Sequence, residues 1–368
     1  MITFQNVRKE YPGGTVAVRD LSLTAPTGKL TVLVGPSGCG KTTSLRMVNR
    51  LIAPTSGKIT LDGEPTDQMD AALLRRRIGY VIQHAGLFPH LTIVQNIATT
   101  ARLNGVTKAA ALSRAHDLMD RVGLSQELAD RYPWQLSGGQ QQRVGVARAL
   151  ASDPQFLLMD EPFSAVDPVV REQLQDEFLR LQRDIGKTII MVTHDIDEAM
   201  KLGDQVAVLR IGGDLAQIGT PQDLLSRPAD DFVSNFIGRD RGYRQLGFAP
   251  VDRSIPLSAE PTGRLGMAPA ALAELAQDDW LLIVDDAMTP LGWANVPRLT
   301  APVRSDDLNR AGTITPHDGT MRQFLDAALS SPSGRGVVVD DNGALQGSAG
   351  LDVVSAMIAR HRAAEAAR

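Results

Sequence analysis

Cysteine is almost absent from this sequence: Cys39 is the one cysteine among 368 residues, so no disulfide can form within the chain. Such usage suits a reducing compartment. No run of 18 or more apolar residues occurs, so we expect no transmembrane helix. The first residues, Met1 to Asn6, lack a basic region followed by an apolar core, so we expect no signal peptide. The sequence therefore favours a cytoplasmic protein.

An excess of positive charge is also missing. Lysine and arginine total 38 residues against 42 aspartates and glutamates, which gives a net charge of −4. Dedicated nucleic-acid-binding proteins are usually basic, so we expect no nucleic-acid partner. The hydrophobic fraction of 43% and the charged fraction of 22% are ordinary for a globular protein. At roughly 150 residues per domain, the length favours two domains.

The first two thirds of the chain alternate strand-like and helix-like segments, which predicts an α/β fold with a parallel sheet. Short apolar runs typical of buried parallel strands lie at Leu30–Val34, Phe156–Met159, Thr188–Val192 and Gln205–Leu209. Such runs disappear between about residues 84 and 150, where helical patterns cover 109–122 and 140–151. We expect a helical subdomain there, inside a first domain of residues 1–238.

The composition changes after Gly238, because Lys201 is the last lysine. Residues 239–262 contain several prolines and are interpreted as a linker. Residues 263–368 hold two similar patterns about 55 residues apart, each an apolar run, two aspartates and a second strand opening at glycine. We expect a small α+β domain with a weak internal repeat.

A phosphate-binding loop follows the first apolar run. Residues 35–42 match the pattern GxxxxGK[ST], between a predicted strand and a predicted helix. Backbone N–H groups of such a loop and the helix N-terminus bind phosphates, while its lysine reaches the β- and γ-phosphates of a nucleotide. Thr42 is expected to bind Mg²⁺, and Cys39 to be a small filler without a redox role. The predicted nucleotide-binding residues are Gly35, Pro36, Ser37, Gly38, Cys39, Gly40, Lys41, Thr42 and Thr43.

Two adjacent acids end the second apolar run. Asp160 is expected to hold Mg²⁺ and Glu161 to polarise the attacking water, because ligands bind beyond the carboxyl ends of parallel strands. The alternative is a strand that ends in a solvated acidic turn.

A second anion site is predicted at residues 136–143, Leu-Ser-Gly-Gly-Gln-Gln-Gln-Arg, where Ser137 is a good helix N-cap. One chain would then own two phosphate-binding helix ends far apart in sequence. Both can serve one ATP molecule if a second subunit supplies one of them.

Together these motifs resemble the ATP-binding cassette (ABC) family over residues 1–238. The resemblance implies two copies closing head to tail on ATP and Mg²⁺, with Ser137, Gly138, Gly139 and Gln140 meeting the partner's nucleotide. It further identifies the Q-loop Gln83, a catalytic residue that also senses Mg²⁺ and links to a permease, the D-loop 164–167 with Asp167, the catalytic switch His194, and Tyr11, which stacks on adenine.

The segment Phe236–Leu246 resembles the join found in ATPases of osmoprotectant importers, and the tail resembles paired cystathionine β-synthase (CBS) type modules. Gly350 and Asp352 depart from the adenosine-binding pattern, so a regulatory role, through ionic strength or conformation, or a dimerisation role is expected instead. The resemblance implies an ATPase on the inner face of the cell membrane, with two permease subunits and, indirectly, an extracytoplasmic solute-binding protein. An amino acid or another small solute as cargo, and a soluble non-transport ABC ATPase, are the alternatives.

Overall fold

The computed structural model describes residues 1–83, 85–164, 166–238, 240–252, 254 and 256–366. The chain separates into two compact units, Met1–Gly238 and Arg239–Arg368. The following positions named in the sequence-based predictions lie outside the described residues: His84, Ala165 of the D-loop, Arg239 at the start of the expected linker, and residues 367 and 368.

The first unit contains ten strands and nine α-helices among its described residues. The strands are β1 Ile2–Glu10, β2 Val16–Ala25, β3 Leu30–Val34, β4 Ser56–Leu61, β5 Glu64–Pro65, β6 Ile78–Val81, β7 Phe156–Asp160, β8 Thr188–Thr193, β9 Gln205–Leu209 and β10 Leu215–Gly219. The helices are α1 Lys41–Val48, α2 Ala71–Arg76, α3 Ile93–Leu103, α4 Lys108–Arg121, α5 Gly138–Leu150, α6 Pro168–Ile185, α7 Ile196–Leu202, α8 Pro221–Ser226 and α9 Asp231–Ile237.

A six-stranded sheet in the order β10-β9-β3-β8-β7-β6 forms the centre of this unit. All neighbouring strands in it are parallel except β10 and β9. Every residue of β3, β7 and β8 is buried, which explains why these strands are continuous apolar runs. The four predicted strands and the α/β class are confirmed.

A second, antiparallel sheet in the order β2-β1-β4-β5 was not predicted from the sequence. Register shifts interrupt β1 and β2, so their alternation of buried and exposed residues is irregular. Helix α1 contributes Leu45, Met47 and Val48 to a core that includes residues of both sheets. This core fixes the start of α1, and with it the preceding glycine-rich loop.

The described residues 85–150 hold three α-helices, two short 3₁₀ helices and no strand. Helix α5 begins at Gly138, two residues before the predicted start, because Ser137 is its N-cap in a capping box with Gln140. Helix α4 matches the predicted helical segment to within one residue at each end. Helix α3 also begins with a capping box, at Thr92.

The second unit consists of short strands and helices. The strands are β11 Thr262–Gly263, β12 Trp280–Val284, β13 Pro290–Asn295, β14 Leu308–Asn309, β15 Ile314–Pro316, β16 Arg335–Val339 and β17 Leu345–Gly350. The helices are α10 Arg241–Gln245, α11 Pro269–Leu275, α12 Met321–Ser330 and α13 Leu351–Ala366.

One β-α-β-β arrangement occurs twice in this unit. Strand β11 pairs parallel with β12 and β12 antiparallel with β13, while β15 pairs parallel with β16 and β16 antiparallel with β17. The registers correspond as well: Trp280 faces Asn295 in one hairpin, and Arg335 faces Gly350 in the other. The weak repeat seen in the sequence is therefore a structural repeat.

The segment expected to be a linker, 239–262, is largely part of the second unit's fold. It contains α10, and Ala249 is buried in a core cluster with Met321 and Phe324, against which Leu246 and Leu257 also pack. Pro250 forms a β-bridge with Thr320. Apolar residues lie between the prolines and anchor this segment, so its proline content marks turns rather than a free tether.

Candidate functional site

The glycine-rich loop connects β3 to α1, and close backbone contacts account for two of its glycines. A Cβ atom at Gly35 would lie 2.4 Å from the carbonyl oxygen of Leu209, and one at Gly40 would lie 2.5 Å from that of Ala17. Gly40 and Gly38 also have positive φ angles, 93° and 78°. Any other residue at Gly35 or Gly40 would displace the neighbouring strand.

Cys39 lies inside this loop, and Lys41 begins helix α1 directly after it. The Lys41 ammonium donates hydrogen bonds to the carbonyl oxygens of Gly35, at 2.7 Å, and Pro36, at 3.1 Å. Cys39 is fully buried, with Sγ 3.7 Å from Lys41 Nζ. Burial raises the pKa of the Cys39 thiol, although the charge of Lys41 opposes this effect. A buried thiol with a raised pKa fits the expected filler role.

Asp160 and Thr42 meet at the carboxyl end of β7. Thr42 Oγ1 donates to Asp160 Oδ1 at 2.9 Å, and the Tyr80 hydroxyl donates to Oδ2 at 3.4 Å. Asp160 is only 6% exposed, and this burial raises its pKa, to which the neighbouring Glu161 charge adds. A carboxylate and a hydroxyl form the oxygen donor set that Mg²⁺ prefers, so these two residues fit the ion. Sequence analysis missed Tyr80, because strand β6, near whose end it lies, was not among the predicted strands.

Glu161, His194 and Gln83 converge on a single oxygen atom. His194 Nδ1 lies 3.1 Å from Glu161 Oε2, and Gln83 Nε2 donates to the same oxygen at 3.2 Å. Strands β7 and β8 are parallel neighbours, with Asp160 paired to Val192, so the residues that follow them emerge at one sheet edge. Glu161 has a φ of 46°, an uncommon backbone conformation that the hydrogen bond from its N–H to Val192 helps to hold. The three predicted catalytic residues are thus brought together.

The second predicted anion site begins helix α5. Ser137 Oγ accepts from the Gln140 N–H at 3.3 Å, and Gln140 Oε1 accepts from the Ser137 N–H at 3.0 Å. Ser137 and Gly138 are exposed, whereas Gly139 is buried. A Cβ atom at Gly139 would lie 3.3 Å from Val170 of α6, so close helix packing explains that glycine.

Tyr11, Thr43 and Asp167 are the remaining residues that were predicted to contact the nucleotide. Tyr11 is half-buried in the turn between β1 and β2, with the Lys9 ammonium 5.1 Å from its ring centroid. Thr43 is half-buried in the first turn of α1, and Asp167 is exposed directly before α6.

Comparison with known proteins places this geometry in a family. Residues 18–164 match the family described as ABC transporter. The osmoprotectant import ATP-binding protein OsmV of Salmonella typhimurium is 42% identical over 96% of this chain and 95% of its own length. The choline transport ATP-binding protein OpuBA of Bacillus subtilis is 52% identical over 66% of this chain and 63% of its own.

Solved structures agree with these matches. A dimeric structure of the ATP-binding cassette MJ0796, in a post-hydrolysis state with ADP and Pi, is 32% identical, with a TM-score of 0.55 over 60% of this chain and 99% of that one. The fold and the site therefore define a P-loop nucleotide hydrolase. The chain belongs to the ATP-binding proteins of ABC transporters, and it is an ATPase. Among the described residues, the helices are too short or too polar to span a bilayer.

Proposed function

We propose that this chain is the ATP-hydrolysing subunit of an importer that takes up a quaternary amine or a related osmoprotectant. The single observation that carries the hydrolytic role is the convergence of His194 and Gln83 on Glu161 Oε2. The cargo is supported by the match to an osmoprotectant import protein, which includes the second unit as well as the cassette. The alternative cargo is an amino acid or another small solute.

The loop and the end of β7 would hold the nucleotide and its metal. Thr42, Asp160 and Gln83 are the residues that would hold Mg²⁺, which neutralises charge on the phosphates when bound. Residues 35–43 would surround the phosphates, and Lys41 would exchange its bonds to loop carbonyls for bonds to phosphate oxygens. This assignment fits phosphoryl transfer, in which positioning and charge neutralisation dominate.

Glu161 would take the proton from the attacking water. His194 and Gln83 both contact its Oε2 atom, so in our proposal Oε1 accepts the proton of the water. His194, whose side chain is 58% exposed, would also reach the γ-phosphate. Gln83 would connect this carboxylate with the metal. General bases of this kind contribute roughly 10²–10⁴-fold to rate.

A second copy of the chain would complete each site. Ser137, Gly138, Gly139 and Gln140 would approach the partner's nucleotide, with Asp167 beside it, and Tyr11 would stack on adenine. Exposure of Ser137 and Gly138 supports this head-to-tail arrangement, as does the dimeric state of the similar cassette. Gly139 would contribute through its backbone, because close packing against α6 surrounds its Cα.

Two permease subunits would bind beside Gln83. A cleft of about 450 Å³ lies there, lined by Arg46, Leu51, Ile52, Tyr80, Ile82, Gln83 and Asp160. Leu51 and Ile82 are exposed apolar residues, as expected of a surface covered by a partner. The chain would then lie on the inner face of the cell membrane, and a solute-binding protein would act outside it.

The second unit would be a regulatory pair of CBS-like modules. The repeated β-α-β-β arrangement over residues 263–366 supports this proposal. Regulation through ionic strength or conformation, or a dimerisation role, remains the expected activity. The functional boundary would follow residue 238, since part of the expected linker packs within the second unit.

Reconstitution with the two permease subunits and the binding protein tests the function. We expect ATP-dependent uptake of radiolabelled glycine betaine by the full chain, and none by the matched Glu161→Gln assembly. Uptake should be inhibited by unlabelled choline or carnitine and not by common amino acids. Competition by an amino acid alone would move the proposal to the alternative cargo, and ATPase activity without association with the permease would contradict the transport role.

A further inference from the structure

Arg171 contacts two functional loops at once. It lies in the first turn of α6, and its Nη2 atom donates to the carbonyl oxygen of Val166 at 3.0 Å. Its Nη1 atom lies 3.8 Å from Asp195 Oδ2. Val166 precedes Asp167 in the proposed D-loop, and Asp195 follows His194. One guanidinium therefore connects the segment that leads into α6 with the loop that carries the switch histidine.

The His194 loop is anchored on the Asp195 side. Asp195 Oδ1 caps helix α7 by accepting the N–H groups of Asp197, at 2.8 Å, and Glu198, at 3.2 Å. The N–H of Asp195 itself donates to Thr193 Oγ1 at 3.0 Å. The two oxygens of Asp195 thus serve different partners: Oδ1 fixes α7, and Oδ2 faces Arg171.

Helix α6 also reaches the other side of this loop. Glu198 is 5% exposed, and Gln175 Nε2 of α6 donates to its Oε1 atom at 3.3 Å. Burial raises the pKa of Glu198, while the nearby Thr193 hydroxyl lowers it, which places this buried acid close to the residue before His194. Since α6 touches the loop through Gln175–Glu198 and through Arg171–Asp195, a shift of α6 would be transmitted to His194.

We propose that Arg171 is a positioning residue that ties the D-loop segment at Val166 to the switch loop and thereby holds His194 against Glu161. The proposal rests on the proposed function, because the D-loop is expected to face the partner's nucleotide. Arrival of that partner would then be communicated to the catalytic contact through one side chain. Only the planar fork of arginine suits this geometry, because lysine offers a single point charge.

Two substitutions in the full-length chain test the tie. Arg171→Met removes both contacts, and Arg171→Lys keeps the charge without the fork. We expect both to lower the ATPase kcat about tenfold, a change of about 1.4 kcal/mol in activation free energy, with KM for ATP changed by less than about twofold. The matched control is Arg183→Met on the same helix, because Arg183 is exposed and its Nε bonds to Leu179 of its own helix. Its kcat should equal the wild-type value.

A double-mutant cycle with Asp195→Asn separates positioning from a structural role. Asparagine keeps the Oδ1 cap of α7 and loses the charge that faces Arg171. If the tie operates, Arg171→Met combined with Asp195→Asn lowers kcat little further than Arg171→Met alone. Three results would overturn the inference. The fold-losses in kcat of Arg171→Met and Asp195→Asn would multiply in the double variant, or Arg171→Lys would keep the wild-type kcat. The third is a loss of kcat that follows a fall in melting temperature. The outcomes are distinguishable: an active Glu161→Gln variant contradicts the proposed function, whereas an inactive one beside a fully active Arg171→Met variant contradicts this tie alone.

Discussion

Among the described residues, three strands end in or lead directly into two adjacent carboxylates, but the two units use these acids in different ways. The pairs are Asp160–Glu161 after β7, Asp285–Asp286 after β12, and Asp340–Asp341 after β16. Strand β7 lies between two parallel neighbours, so the loops that follow β6 and β8 begin at the same edge of the sheet as the loop after β7. Strands β12 and β16 instead turn back at once into an antiparallel partner.

The environments of the first acids differ accordingly. Asp160 is buried and hydrogen-bonded by Thr42, and burial raises its pKa. Asp285 Oδ1 instead accepts the N–H groups of Ala287, at 2.9 Å, and Thr289, at 2.8 Å, and these backbone hydrogen bonds, with that from Thr289 the larger, lower its pKa. Asp340 bonds to its own turn in the same way, accepting from the N–H groups two and four residues later.

The difference shows what makes an acid pair a site. A carboxylate that accepts the amides of its own turn is already satisfied and stabilises the hairpin. A carboxylate at a parallel sheet edge meets side chains from neighbouring strands, as Glu161 meets His194 and Gln83. The sequence pattern is shared. In the tail, the hairpin turn that follows at once holds the first acid, while the second acid lies near a side chain that follows the parallel neighbour, Arg264 for Asp286 and His317 for Asp341.

The largest expected effect is on the catalytic side of this comparison. Glu161→Gln should lower the ATPase kcat by at least about 100-fold, because the amide cannot take a proton from water. ATP binding, measured by equilibrium dialysis, should stay within about threefold of wild type. Asp286→Ala, in the corresponding position of the tail, should leave kcat unchanged. Wild-type turnover by Glu161→Gln would show that another group is the base.

A smaller effect is expected in the tail hairpin. Asp285→Ala removes the acceptor of two backbone N–H groups and should lower the stability of the second unit, as loss of a cap does in helices. The wild-type advantage should be present above the ordinary aspartate pKa of about 3.9 and fade as pH falls through the lower folded value. Calorimetry of the full chain at pH 7 and at pH 3 would measure both.

Asp285→Asn is the matched variant, because asparagine retains an acceptor oxygen and should lose less stability than alanine. Asp286→Ala should lose little, since its side chain is fully exposed and its ion pair with Arg264 lies at the surface. Asp285→Ala could raise the activation free energy of ATP hydrolysis by as much as it lowers the free energy of unfolding. That result would show that the hairpin acid acts in catalysis, and the two units would no longer differ in how they use these acids.

Local motifs account for most of the residues of the proposed nucleotide site. The glycine-rich loop, the end of β7 and the cap at Ser137 each depend on short stretches of sequence. Tyr80, Arg171 and Glu198 could not be found in this way, because their partners depend on sheet order and on how α6 packs. The packing of the predicted linker could not be found for a related reason: nothing local reveals that Ala249 is buried in a cluster with Phe324.

For Asp160, the expected dependence of stability on pH is opposite to that for Asp285. Its raised pKa means that its charge disfavours folding of the metal-free chain above the folded pKa, and this cost fades as pH falls towards about 3.9. Asp160→Asn should therefore raise the melting temperature of the metal-free chain at pH 7 by about 2–4 °C, the shift that ~1 kcal/mol produces in a domain of this size. The advantage should shrink by pH 4.5.

The same variant should respond less to Mg²⁺. Addition of Mg²⁺ and a non-hydrolysable ATP analogue should stabilise wild type more than Asp160→Asn, because a carboxylate binds the ion better than an amide. Thr42→Ser, which keeps the hydroxyl, serves as the control. A lower melting temperature for metal-free Asp160→Asn at pH 7 would contradict a net cost of burying this charge.

The smallest effect on kcat is expected for substitution of Cys39. Burial excludes reagents from its thiol and raises its pKa, so little thiolate forms near neutral pH even with Lys41 nearby. Iodoacetamide at pH 7.5 should therefore alkylate Cys39 at least about 100-fold more slowly than a thiol placed in the tail by Asp286→Cys in a Cys39→Ala background. The Cys39→Ala chain should keep kcat within about twofold, because the thiol fills space. Equal alkylation rates would show that the loop opens often enough to expose Sγ, and the bonds from Lys41 to Gly35 and Pro36 would then be the contacts that break first.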